Sequence, residues 1–367
     1  MNTRSLMKKV ILIVGLLFAV NMVLIGCSDD RKAEKPGFVE KVMDSVAQSV
    51  ASGLDKARVE TTDSVPSADS SETSGLPAID LAVKVEDEDS AVPPIHDMLV
   101  DGQLVYAVFD GGLLVYDLTS DEYSVTPTGK PLRALAEHAG ALYAGGDYLY
   151  RVDGAALTPV EVTFDGQINE LYSYGPSLMV GTTHGLYARN LLGTIMLLDS
   201  MNVTAMVSDY KGLWIGTEEN GLYCWNGEKY KKRFLTRDPS LFDHVTTLAA
   251  AHNHLYLGTD DGLYVFDGGN WQTYTTDEGL PSGHITSIDA SDWVVLIGTA
   301  NGAASLFEGE VNAVKRLDNQ VITSIRKAGN RILAGTGQNG LMVKSGPAVR
   351  TIVSPWQDSN DLAALIH

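Results

Sequence analysis

From about residue 93 the apolar positions of the chain come in short runs, broken by Gly, Asn and Asp and without a sustained helical period. The stretch DGLYVFDGGNWQTYTTDEGLPSGHITSI (261–288) shows the unit. Leu263 to Phe266 is an apolar strand, Gly268-Gly269 turns the chain, Trp271 to Tyr274 is a second strand, and a polar loop leads to Ile285. The pattern recurs. Aligned on the glycine of an apolar-Gly-Thr step, the copies fall at Val108, Gly145, Gly181, Gly216, Gly258, Gly298 and Gly335, at intervals of 37, 36, 35, 42, 40 and 37 residues. Thirteen residues before each lies an aliphatic residue that opens another strand: Ile95, Leu132, Ile168, Val203, Val245, Ile285 and Ile322. The offset is constant, and length varies only between the Gly-Thr strand and the next copy.

Each copy thus predicts four antiparallel strands, and seven such copies predict an all-β chain folded as a seven-bladed β-propeller of four-stranded blades, with a solenoid as the competing architecture. Asn220-Gly221, Asp261-Gly262, Asn301-Gly302 and Asn339-Gly340 suit two-residue type I′ turns. The recurrent glycine is expected where a neighbouring sheet approaches closely. The bulky residue two positions earlier (Tyr106, Tyr143, Met179, Trp214, Tyr256, Leu296 or Leu333) is expected to fill the core between blades. DLAALIH (361–367) resembles an eighth first strand, and Leu76 to Glu86 could partner it, so an eighth blade built from both termini is the alternative.

Residues 279–281 (GLP), 285–288 (ITSI), 213–217 (LWIGT) and 221–223 (GLY) resemble the two-component regulator propeller repeat, and the likeness spans roughly residues 93–367. That resemblance implies an extracytoplasmic ligand-binding propeller of the kind found in sensor kinases. No kinase or receiver segment follows residue 367 in this sequence, so signalling by this chain alone is not expected.

Ahead of the repeats, a basic start (MNTRSLMKK), an apolar stretch and Leu24-Ile25-Gly26-Cys27 read as a secretory leader over residues 1–26 whose cleavage site resembles a lipoprotein lipobox. Acylation of Cys27 would hold the protein on a bilayer, and Ser28 after it points to the outer membrane, facing the periplasm or the cell surface. Residues 27–92 read as a lipid-anchored flexible linker. Phe38, Val42, Val46, Val50 and Leu54 predict a short amphipathic helix within 37–59, and the Ser/Thr/Asp-rich stretch after it has nothing to bury. The net charge of −19 becomes more negative once Arg4, Lys8 and Lys9 leave with the leader, which excludes nucleic acid as a partner. Cys224 is the other cysteine and, inside a strand pattern, is expected to be a small buried apolar group.

The chemistry-bearing residues do not assemble into a catalytic pattern. No Ser-His-Asp order, HExxH, phosphate-binding loop or calcium loop occurs, so neither metal nor cofactor is expected. His252 and His254, in AHNH, could chelate but lack a third ligand nearby. His244 and His284 each directly precede a first strand, so both are expected at one mouth of the central channel. Asp243, Asn202 and Gln167 join them by the same logic, as do Asp260, Asp261, Glu218 and Glu219 in turns on that face. This set predicts a non-catalytic binding module for an envelope protein, a small ligand or a glycan. The alternatives are a propeller enzyme, such as a polysaccharide or lactone lyase, and an outer-membrane assembly factor that pairs an exposed blade edge with a client strand.

Overall fold

The computed structural model describes residues 92–227, 230–233 and 244–352. The chain divides into Met1–Val83 and Lys84–His367, and the described residues belong to the second unit. The leader, Cys27, the helix expected within 37–59, Leu76 to Glu86, Asp243 and the segment 361–367 lie outside the described residues.

Alternation of apolar and polar residues between Gly-containing turns yields antiparallel strands in six sheets. The first holds β1 (Ile95–Asp101), β2 (Leu104–Asp117), β3 (Tyr123–His138), β4 (Ala141–Gly146), β5 (Leu149–Asp153) and β6 (Ala156–Pro159). The second holds β7 (Ile168–Tyr174), β8 (Ser177–Thr182), β9 (Gly185–Asn190) and β10 (Gly193–Asp199). The third is β11 (Val203–Asp209), β12 (Gly212–Thr217), β13 (Leu222–Trp225) and β14 (Tyr230–Arg233). The fourth is β15 (Val245–Ala251), β16 (His254–Thr259), β17 (Leu263–Phe266) and β18 (Trp271–Tyr274). The fifth is β19 (Ile285–Asp289), β20 (Val295–Thr299), β21 (Gly302–Phe307) and β22 (Glu310–Ala313). The sixth is β23 (Ile322–Ala328), β24 (Arg331–Thr336), β25 (Leu341–Ser345) and β26 (Ala348–Ile352).

Among the described residues the propeller therefore has six blades rather than the seven expected, one six-stranded and five four-stranded. The first two sequence copies share one sheet because β2 and β3 are long. β2 pairs with β1 through Leu104–Phe109 and with β3 through Gly112–Tyr116, and Asp110 pairs with Pro131 across the junction. The later half of β3 then pairs with β4. The first copy also lacks the Gly-Thr or Gly-Gly step that ends the second strand elsewhere. Its Val108-Phe109-Asp110-Gly111 leaves no threonine to close the turn, and the strand runs on.

The alternative of an eighth blade is overturned by how the ring closes. The sixth sheet meets the first directly: Thr323 Oγ1 donates to the Ile95 carbonyl, as Thr204 does to Val245 and Thr286 to Ile322 at other junctions. A side chain at Gly335 would lie 2.6 Å from Ile95 Cγ2. The same near-collision recurs at Gly145, Gly181, Gly216, Gly258 and Gly298, each facing the opening residue of the next copy at 2.5–2.8 Å. The recurrent glycine is thus a packing requirement. Apolar clusters fill the interfaces, with Met179, Trp214, Leu296 and Leu333 buried and Tyr143 half-buried among them, and Cys224 buried as expected.

The turns after the Gly-Thr strand are not type I′. That geometry needs left-handed backbone at both central residues, yet Asn220, Asp261, Asn301 and Asn339 do not have it. The buried threonine closes these turns instead. Thr217 Oγ1 donates to Gly221 O (2.7 Å) and accepts from Asn220 N (3.1 Å), and Thr299 and Thr336 repeat the arrangement. The left-handed pair falls at His252 and Asn253, in the hairpin that joins β15 to β16.

Candidate functional site at the channel mouth

Every first strand slips register by one residue immediately after its opening residue, at Ile95/Asp97, Leu132/Ala134, Ile168/Glu170, Val203/Ala205, Val245/Thr247, Ile285/Ser287 and Ile322/Ser324. A β-bulge re-aims side chains that simple alternation would send to opposite faces. Its consequence is that two successive residues of each first strand serve the channel or the junction with the next copy. The residue before the strand then forms the rim.

At the rim lies a recess of about 410 Å³, bordered by His96, Arg133, Gln167, Asn169, Asn202, Thr204, Glu218 and His244 among others. Its polar side chains are linked. Arg133 Nε donates to Gln167 Oε1 (2.9 Å), and Gln167 Nε2 donates to Asp147 Oδ1 (3.1 Å). Asn169 donates to Asn202 Oδ1 (2.8 Å), and Asn202 donates in turn to Glu218. Next to these, Asp260 bridges two copies, with His244 Nδ1 on one carboxylate oxygen and His284 Nδ1 on the other at 2.6 Å. His96 Nε2 meets Asp110 Oδ1 at 2.9 Å, and burial pushes its imidazole below the ordinary value despite that carboxylate.

The structure brings Gln167, Asn202, Glu218, His244, His284 and Asp260 together at this mouth. Asp261 stands exposed in the turn beside Asp260, with its backbone N–H donating to Thr259 Oγ1, and does not border the recess. His252 and His254 do not act as a pair. The His252 ring stacks on Trp293 with centroids 4.1 Å apart, His254 Nδ1 meets the His252 carbonyl, and no metal-binding cluster occurs among the described residues.

Adjoining the rim is a cavity of about 660 Å³. Asp97 accepts from Leu135 N (3.0 Å), Met98 N (2.7 Å) and Arg326 Nη2 (2.8 Å). Burial raises its carboxyl, and the Arg326 guanidinium opposes that shift. Burial raises Glu170 much further, reinforced by the charge of Asp97. Reasoning from residues that precede the strands missed His96, Arg133, Asn169, Asp97, Glu170 and Arg326. For all but Arg326 the signal was positional: His96, Asp97, Arg133, Asn169 and Glu170 stand one or two residues after an opening aliphatic.

The fold and its lined channel define a β-propeller. Solved structures of similar fold include the extracellular domain assigned to a hybrid two-component system, BT3049 of B. thetaiotaomicron (TM-score 0.59, 15% identity, covering 70% of this chain and 39% of that one). They also include the WD40 propeller domain of Doa1 (TM-score 0.54, 16% identity, 70% and 94%) and PorZ of Porphyromonas gingivalis (TM-score 0.55, 14% identity, 73% and 39%). The chain thus spans well under half the length of two of these neighbours. No protein-family model matches it, and no curated protein sequence is significantly similar.

Proposed function

We propose that the protein is a lipid-anchored, extracytoplasmic binding module that engages an envelope protein or a ligand at the channel mouth without catalysis. The observation that carries this reading is the bridge His244–Asp260–His284, set beside a recess whose other polar groups already hold one another in place. Residues from successive copies are fixed before any partner arrives, which lowers the ordering cost of association. The likeness of residues 213–217 and 279–288 to the two-component regulator propeller repeat supports a sensing or presenting role, and the leader with Cys27 supports the envelope.

The test compares the full chain with its His244→Ala/His284→Ala variant as bait in detergent-solubilised envelopes, with melting curves to show that both remain folded. A partner held by the parent and lost by the variant fits the proposal. Identical captured sets would remove the mouth from the binding surface. Turnover of an envelope polymer that the double variant abolishes would favour an enzyme instead.

A further inference from the structure

The rim residues fix which way each strand runs. Gln167, Asn202, His244 and His284 precede first strands at the mouth, and successive strands of each sheet are antiparallel. The hairpins that join first to second strands, and third to fourth strands, therefore lie on the face opposite the mouth. Large apolar side chains left exposed by the fold gather there. Among the described residues Tyr123, Leu191, Leu192, Tyr210, Trp293 and Phe307 stand at such hairpins, whereas Tyr148 and Val321 stand on the mouth side.

The hairpin between β9 and β10 is the extreme case. Leu191 and Leu192 are 105% and 92% exposed, as open as in an extended chain. A single surface leucine needs no explanation, but these two continue into Ile195 and Met196, also exposed, on the unpaired outer strand of their sheet. Asn190 to Leu198 contains no charged residue. The tip has a defined shape: Leu192 N donates to Asn190 Oδ1 (2.8 Å), and Gly193 adopts a φ of +138° where a Cβ would meet nothing within 4 Å. The first charge behind the tip is Arg189, whose Nη1 donates to Thr194 Oγ1 (3.4 Å). Elsewhere on this face Trp293 is steadied by its stack on His252, and Tyr210 has Lys211 Nζ 5.2 Å from its ring centre.

We infer that the face opposite the mouth docks on a lipid bilayer, with Leu191 and Leu192 dipping among the acyl chains, Arg189 at the level of the phosphates, and Tyr210 and Trp293 among the headgroups. The tip projects, so a protein would need a matching pocket to receive it, whereas fluid lipid needs none. An apolar tip backed by a cation, on a face that carries Trp and Tyr, follows the order of hydrocarbon, phosphate and interface in a membrane. An acylated Cys27 would keep a bilayer within reach, and on that point the inference rests on the lipid-anchored reading. It adds an orientation to that reading, since the mouth is then turned away from the membrane. The acidity of the chain favours zwitterionic over anionic headgroups.

Site-directed fluorescence on the full chain tests it. Leu191→Cys is labelled with nitrobenzoxadiazole and reconstituted in phosphatidylcholine vesicles with and without doxyl-labelled phosphatidylcholine, and Tyr148→Cys serves as the mouth-side control. Cys224 is buried and does not compete for the label. A blue shift and loss of emission to the doxyl lipid are expected at position 191, and neither at 148. The same label on Ile195→Cys should also be quenched, and should lose that quenching when Leu191→Asp/Leu192→Asp is added in a chain with a parental melting curve. No quenching at 191, or equal quenching at 148, would overturn the inference. So would a blue shift at 191 without vesicles that grows with protein concentration, which assigns the tip to a second copy, or one that needs an added envelope protein. Intact mass reports acylation of Cys27 separately. An unacylated chain with a quenched tip would fail the lipid-anchored reading alone, and an acylated chain with an unquenched tip would fail this inference alone.

Discussion

Gly216 offers the sharpest test of why the ring closes as it does. A Cβ at this position would sit 2.5 Å from Val245 Cγ1 and 3.0 Å from Val245 Cβ. Carbon atoms pack best about 3.5–4.0 Å apart, so Gly216→Ala demands roughly an ångström of retreat. Val245 is fully buried and β-branched, and it has few rotamers to yield. The strain must pass into the spacing between sheets that are fixed on their other side as well. Overpacking of this kind costs about 1–3 kcal/mol, which for a domain of this size lowers Tm by roughly 2–12 °C. Val245→Ala alone deletes buried methyl groups and costs about 2 kcal/mol. In the double variant the new methyl occupies space vacated by the valine, so its loss should fall short of the summed single losses by at least about 1 kcal/mol. Thermal unfolding followed by circular dichroism on all four proteins gives the cycle. Additivity within about 0.5 kcal/mol would show that the glycine is not there for the neighbouring sheet, and the packing argument would fail.

The turn, the channel and the thiols give further checks. Thr217→Val keeps the shape of a fully buried residue but leaves Asn220 N and Gly221 O without their hydroxyl partner, and a loss of about 1–3 kcal/mol is expected in urea unfolding; unchanged stability would exclude the threonine as the closing element. Glu170 binds its proton more tightly folded than unfolded because burial and Asp97 raise it, so its contribution is greatest in acid and is lost as pH rises through the folded value. The urea midpoint of Glu170→Gln should therefore gain on the parent as pH rises above about 4, and a constant difference would contradict the raised carboxyl. Cys224 is buried, so a thiol reagent should find none in the native, envelope-extracted protein and one after denaturation. Two after denaturation would leave Cys27 unacylated.

The β-strand repeat was open to sequence reasoning because its demands are severe. A glycine that must face Ile285 or Val245 and a threonine that must close a turn tolerate few substitutes, so the step recurs at a constant thirteen residues from the opening aliphatic. Blade number was less accessible. The first copy has Phe109 where the others carry threonine or glycine, and β2 continues into the next turn. The turn type was misjudged for a related reason. Asn-Gly and Asp-Gly are turn-formers by backbone preference, yet here a buried side chain two or three residues upstream bonds the loop and sets its geometry.

The site divides along the same physical line. Residues just ahead of the strands (Gln167, Asn202, His244 and His284) were found because leaving a strand at one end of the ring is a matter of topology alone. The next layer was missed because its visibility depends on the bulge. Strict alternation would turn one of any two neighbours, such as His96 and Asp97 or Asn169 and Glu170, away from the channel, but the slipped register lets the first reach the mouth and the second the interior. A bulge repeated in every copy carries no composition of its own. In three copies it places a threonine, Thr204, Thr286 or Thr323, where its hydroxyl donates to the carbonyl of the next copy, a bond that exists only once neighbouring copies meet. The channel chemistry is thus a property of closure. Any variant that opens the junction between Thr323 and Ile95 should disperse Asp97, Arg326 and Ser324 together, even though each strand that carries them could still form.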